Sequence, residues 1–150
     1  MLGNETCKIG STDVEVLLSS HTTGGRYTIC QLQTASGQGL PLHTHEYEDG
    51  FIYVLEGEFR FHIGETAIPA LPGTSLFIPR GTPFAFHHQG QTSGRFLVVT
   101  APGGMDLLIR DLGALTRRGV ALTIERIAPM LDKHGITLFS GFGSTERDCP

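Results

Sequence analysis

Tryptophan is absent from this 150-residue chain, cysteine and methionine occur three times each, and only 17% of the residues are charged. Each scarcity excludes something. Cys7, Cys30 and Cys149 stand far apart, with no second Cys or His at zinc-knuckle spacing, so neither a disulfide framework nor a structural zinc is expected. They read as free thiols, and Cys30, in the run from Arg26 to Gln33, is expected to be a buried structural thiol rather than a nucleophile. Basic residues are few as well: 11 Lys and Arg against 15 Asp and Glu give a formal charge of −4, with Arg117-Arg118 the one basic pair of note. That balance argues against a nucleic-acid or anionic-membrane partner. No apolar stretch approaches the roughly 20 residues of a membrane span. The opening Met1-Leu-Gly-Asn-Glu-Thr-Cys-Lys has neither the basic nor the apolar region of a secretion leader, so a cytoplasmic location is expected.

What the chain does have is glycine, 20 residues of it, with 8 prolines, punctuating short runs rich in Val, Ile, Phe, Tyr and Thr. That texture is the signature of many short strands joined by turns, and it predicts an all-β barrel with strands near 13–19, 26–33, 41–45, 50–56, 58–63, 66–69, 75–78, 83–88 and 94–100. Within Phe59-Arg-Phe-His-Ile63 the apolar residues alternate, which puts Phe59, Phe61 and Ile63 on one buried face and turns Arg60 and His62 outward. After Pro102 the spacing lengthens to three and four residues. Two helices are expected, Met105–Leu112 and Ile124–His134, with Gly113 and Gly135 as left-handed C-terminal caps, Thr123 as an N-cap, and a kink or late start at Pro129. The organisation read from these shifts is an N-terminal strand and arm at 1–24, a barrel core at 25–101, and a helical segment at 102–150 packed on the barrel, its last ten residues frayed.

The chemistry concentrates in Gly37-Gln-Gly-Leu-Pro-Leu-His43-Thr-His45-Glu-Tyr-Glu48-Asp49-Gly50-Phe-Ile-Tyr-Val-Leu-Glu-Gly57. Side chains alternate along a strand, so His43 and His45 share a face and can offer imidazole nitrogens to one ion. A second frame follows at Gly73-Thr-Ser-Leu-Phe-Ile-Pro79-Arg80-Gly81-Thr-Pro-Phe84-Ala-Phe86-His87-His88. Together the two segments resemble the paired motifs of the cupin superfamily, whose barrel is a double-stranded β-helix, or jelly roll, over roughly residues 25–101 here. The resemblance implies a metal held by His43, His45, a Glu and a third His. In this sequence the Glu position is Gly50 and the third His position is Phe84, while His88 stands where an Asn is usual. Two of four implied ligands are replaced.

Glu48, one pleat before Gly50, and Asp49 beside it are the carboxylates within reach as substitutes. His88 shares the parity of Phe84 but lies about 6–7 Å along the strand, which suits a supporting or substrate-binding role. His87 points to the other face. An apolar pocket is expected from Phe59, Phe61, Phe77, Phe84 and Phe86, with Gln31 and Gln33 as polar members, Tyr53 in packing and Arg80 at the rim. Small cupins resembling this chain imply an enzyme acting on a hydrophobic oxygenated molecule, aromatic or polyketide-like. A divalent ion (Zn, Fe, Mn or Ni) at His43, His45 and a borrowed carboxylate would act as Lewis acid for cyclisation, isomerisation or dehydration. The alternatives are a metal-dependent quercetinase-like dioxygenase and a metal-free barrel that binds a ligand or uses a His as general base. A homodimer is expected, because exposed strand edges need covering.

Overall fold

The computed structural model describes residues 4–139. Two antiparallel sheets face each other. The strands are β1 (Thr6–Ile9), β2 (Thr12–Leu18), β3 (Thr28–Thr34), β4 (Gly39–His45), β5 (Asp49–Glu56), β6 (Phe59–Ile63), β7 (Thr66–Ala70), β8 (Ser75–Ile78), β9 (Phe84–His88), β10 (Gly94–Ala101) and β11 (Ile136–Leu138). They form a six-stranded sheet in the order β1-β2-β3-β10-β5-β8 and a five-stranded sheet in the order β11-β4-β9-β6-β7. The fold is the mostly-β, two-sheet barrel that the run of short alternating segments anticipates. β1 and β2, from the expected N-terminal arm, extend the larger sheet; the two-residue turn between Ile9 and Thr12 needs Gly10, whose φ is 60°.

Alternation decides what the barrel holds. From β6, β9 and β10 the residues Phe59, Phe61, Phe86 and Phe96 turn inward and pack as a cluster with ring centroids 5.0–6.1 Å apart. Rings at these separations and mutual tilts gain from edge-to-face contact as well as from burial. The cluster closes one end of the interior.

Helices close the other. Besides α1, a single turn at Ser20–Thr23, the chain forms α2 (Met105–Arg117) and α3 (Ile124–Lys133). Met105, Leu108, Ile109 and Leu112 of α2, with Ile127 and Leu131 of α3, are buried, each contributing about 1.5–3 kcal/mol by leaving water. Helix α2 runs more than a full turn beyond the expected end. Gly113 is not its cap but a point of close approach, where any Cβ would collide with the Thr6 carbonyl of β1. Helix α3 starts at Ile124 without delay and carries Pro129 inside it; Thr123 precedes it but makes no side-chain cap, and Gly135 beyond its end adopts φ 77° as expected. The α2 N-terminus is pinned by Asp106, which accepts hydrogen bonds from Ser20 Oγ at 3.0 Å and Thr28 Oγ1 at 2.9 Å. Among the described residues no helix is long and apolar enough to cross a membrane. The expected frayed tail and Cys149 lie outside the described residues.

Candidate active site

Strand β4 carries the two histidines in the interior of its sheet. On one side β11 pairs Ile136 with His45 and Leu138 with His43; on the other, β9 pairs Phe84 with His43 after a register shift between Leu40 and His43. The shift releases the Pro41 carbonyl, which lies 2.7 Å from His43 Nδ1. A carbonyl only accepts, so Nδ1 carries the hydrogen and Nε2 keeps the lone pair. Burial, with His45 nearby as a smaller cause, pushes the His43 pKa down to about 3. The ring is neutral throughout the physiological range.

His45 faces Glu48 across the turn that leads into β5, with Nδ1 and Oε1 3.6 Å apart. That gap is too long for a hydrogen bond. Neither atom has a partner elsewhere among the described residues, although both are removed from solvent and Glu48 is only 8% exposed. The Phe84 ring lies over both imidazoles, 4.3 Å from His43 and 5.5 Å from His45 between centroids. These groups open onto a cavity of about 130 Å³ between the sheets and beneath α2 and α3. Its wall is almost wholly apolar, built from residues such as Leu32, Ile52, Phe86, Val98, Leu108 and Ile127. The polar side chains on it, His43, His45, Glu48 and Thr100, stand out against that lining.

A metal does not fit this set. Gly50 lines the cavity with no side chain, the Phe84 ring occupies the place of a third imidazole, and among the described residues no group of three or more His, Cys, Asp or Glu side chains comes together as a cation would require. Of the carboxylates expected to rebuild the centre, Glu48 lines the cavity with His43 and His45, whereas Asp49 is committed elsewhere. Asp49 accepts from Arg80 N at 2.9 Å and from its Nε and Nη2 at 3.3 and 3.2 Å, which holds the carboxyl below its usual pKa. This pair sits at the surface.

Other expected site residues separate in the same way. Phe84 and Phe86 line the cavity, whereas Phe59 and Phe61 lie behind it in the aromatic cluster and Phe77 is 60% exposed on the outer face of β8. Strand β3 contributes Cys30 and Leu32 to the cavity, so by alternation Gln31 and Gln33 face outward. Gln31 accepts from Arg95 Nη1 at 3.0 Å, and Gln33 reaches Ser93 at 3.5 Å. Tyr53 is exposed rather than packed. His88 is completely buried at the aromatic end, with ring nitrogens on the Glu58 and Thr92 carbonyls; it braces the β6 and β9 ends and does not reach the cavity. His87 meets the Gly37 carbonyl at 3.1 Å, and His62 is half-buried away from the cavity. Cys30 is buried and its pKa is pushed up to about 12 by burial, which keeps it a thiol. Thr100 was not anticipated as a site residue. It shares parity with Phe96 and Val98 on β10, and that alternation was the available signal.

Residues 32–100 match the family described as the cupin domain, in keeping with the two-sheet barrel and the motif frame. The chain is a member of the cupin superfamily. In sequence it is similar to Protein SchB of Streptomyces halstedii, 26% identical over 91 residues, which are 60% of this chain and 66% of that protein. The chain thus spans just under two thirds of that relative's length. Among solved structures, the polyketide cyclase RemF from Streptomyces resistomycificus is 27% identical with a TM-score of 0.54, over 67% of this chain and 70% of that one. TT1209 from Thermus thermophilus is 33% identical with a TM-score of 0.50, over 52% of this chain and 74% of that one.

Proposed function

We propose that the protein is an enzyme acting on a hydrophobic, oxygenated small molecule, aromatic or polyketide-like, and that His45 and Glu48 move the proton that leads to cyclisation, isomerisation or dehydration. One observation carries this reading: two buried polar atoms, His45 Nδ1 and Glu48 Oε1, lie 3.6 Å apart without partners at the wall of an apolar cavity. Buried polar atoms are rarely left unpaired without a functional reason. A ligand carbonyl oxygen about 2.8 Å from His45 Nδ1, with its neighbouring C–H turned to Glu48 Oε1, engages both atoms. In the tautomer that places hydrogen on Nδ1, His45 donates to a ligand carbonyl while the Glu48 carboxylate takes a proton from the adjacent carbon. The carbon–hydrogen electron pair moves into the enolate, whose oxygen His45 stabilises, and return of the proton to a different carbon completes an isomerisation. The similarity to a polyketide cyclase supports the substrate class.

The test is deuterium uptake from solvent at the methyl carbon next to the carbonyl of 2,4-dihydroxyacetophenone, followed by NMR. Wild type accelerates exchange over buffer, and Glu48→Gln loses roughly 10²–10⁴-fold of that acceleration. Exchange no faster than buffer, or a Glu48→Gln variant equal to wild type, contradicts the reading.

A further inference from the structure

Strands β5, β8 and β10 bring three residues side by side in the cavity wall. Gly50 on β5 pairs with Thr100 on β10 and with Ile78 on β8, and all three line the cavity. A side chain at Gly50 would not be crowded: a Cβ built there meets nothing nearer than Ile78 Cβ at 3.8 Å and the Ile78 carbonyl at 3.9 Å. The missing side chain therefore leaves a recess. Thr100 on its flank is only 5% exposed, and its Oγ1 has no hydrogen-bond partner among the described residues. By contrast, the buried hydroxyls of Thr12, Thr28 and Thr34 are all engaged, Thr12 with Thr34 at 3.3 Å and Thr28 with Asp106 at 2.9 Å. Among the described residues Thr100 thus carries the buried hydroxyl left unpaired, and it faces the same cavity as the unpaired atoms of His45 and Glu48.

We propose that Thr100 Oγ1, over the bare backbone of Gly50, is a positioning site for a second oxygen of the ligand. This rests on the proposed function in that one ligand oxygen lies at His45, beside Glu48. The hydroxyl donates to a ligand carbonyl or accepts from a ligand hydroxyl, because threonine does both. The volume limits what reaches it. A cavity of about 130 Å³ is close to the roughly 150 Å³ that holds one benzene ring, so the part of the substrate that enters is a single ring bearing at least two oxygens. Three unpaired polar atoms on an otherwise apolar wall select such a ring over a plain hydrocarbon, because an analogue lacking the oxygens leaves those atoms unsatisfied. Thr100 sets the orientation of the ring; the proton transfer belongs to the His45 and Glu48 end.

Resorcinol and benzene serve as probes, with binding followed by calorimetry and by ligand-observed NMR. Wild type binds resorcinol more tightly than benzene. Thr100→Val, which keeps the shape and removes the hydroxyl, weakens resorcinol roughly tenfold and leaves benzene unchanged, while Thr100→Ser restores resorcinol. Gly50→Val fills the recess and weakens resorcinol with Thr100 intact. Failure of wild type to bind resorcinol overturns the proposal, as does Thr100→Val binding resorcinol as wild type does or losing both probes equally. The two readings fail separately. Normal resorcinol binding by Thr100→Val, with deuterium exchange still dependent on Glu48, removes the recess and keeps the enzyme. Binding that depends on Thr100 without any exchange in wild type keeps the recess and removes the proton-transfer reading.

Discussion

The buried neutral imidazole of His43 makes stability depend on pH in a direction and size that can be worked out. In the folded protein its pKa is about 3, against an ordinary value of 6.5, because burial and neighbouring His45 oppose its charge. The unfolded chain takes up a proton near pH 6.5 that the folded protein refuses until about pH 3. Between those values the unfolded state binds more protons, so stability falls as pH drops, by about 1.4 kcal/mol per pH unit at full slope. Full stability from this group is present above pH 6.5. From about pH 7 to about pH 5 the loss is about 2 kcal/mol, which moves a urea midpoint down by roughly 1 M for an m-value near about 2 kcal/mol/M. The assay is urea unfolding of wild type and His43→Leu at both pH values, with chelator present throughout. His43→Leu is expected to retain the acid sensitivity of the rest of the molecule but to lose about 2 kcal/mol of the difference. Equal pH dependence in the two proteins refutes the reasoning.

Further predictions follow from packing and thiol chemistry. Cys7 and Cys30 both have pKa values pushed up to about 12, chiefly by burial, so neither reacts with an aromatic disulfide reagent at mildly alkaline pH until denaturant is added; labelling of either in the folded protein, read by mass spectrometry, contradicts this. Gly39→Ala drives a methyl group into the Phe86 carbonyl of the neighbouring strand and is expected to cost about 3 kcal/mol, seen as a fall of roughly 6–12 °C in Tm. Phe96→Ala opens the middle of the aromatic cluster, where Phe96 is 2% exposed, and should cost about 3–5 kcal/mol in urea unfolding. Asp49→Asn breaks the surface pair with Arg80 and is expected to leave deuterium exchange unchanged, which separates Asp49 from Glu48.

The barrel was legible because it rests on alternation. Phe59 and Phe61 with Arg60 and His62 between them, or His43 and His45 across Thr44, declare which face is inside without any tertiary knowledge. The parity of His43 and His45 likewise signalled a shared face, and both line the cavity with Glu48. What alternation does not give is depth along the barrel: Phe59, Phe61 and Phe86 share an inward face, yet only Phe86 reaches the cavity while the other two fill its floor. Nor does it say which side of a strand is inside when both sides carry mixed residues. Gln31 and Gln33 lie outside because Cys30 and Leu32 are the residues that meet the core, and Phe77 lies outside although its neighbours Leu76 and Ile78 are as apolar. The β11 strand that flanks the histidines, and the extra length of α2 permitted by Gly113, depend on long-range contacts with β4 and β1. Thr100 faces the cavity by the alternation of β10, and its register with Gly50 sets it beside the recess.

On the proposed function, the side chains around this cavity act on the ligand directly, with Glu48 and His45 in place of a cation. The measurement that bears on it most directly is deuterium exchange of 2,4-dihydroxyacetophenone by protein stripped with chelator, with elemental analysis of the same sample, before and after addition of zinc, iron, manganese or nickel. Exchange at the same rate in stripped and reloaded protein, with far less than one ion per chain and dependence on Glu48, is the predicted result. Exchange that vanishes on stripping and returns with one ion per chain, lost again in His43→Ala/His45→Ala, would contradict it.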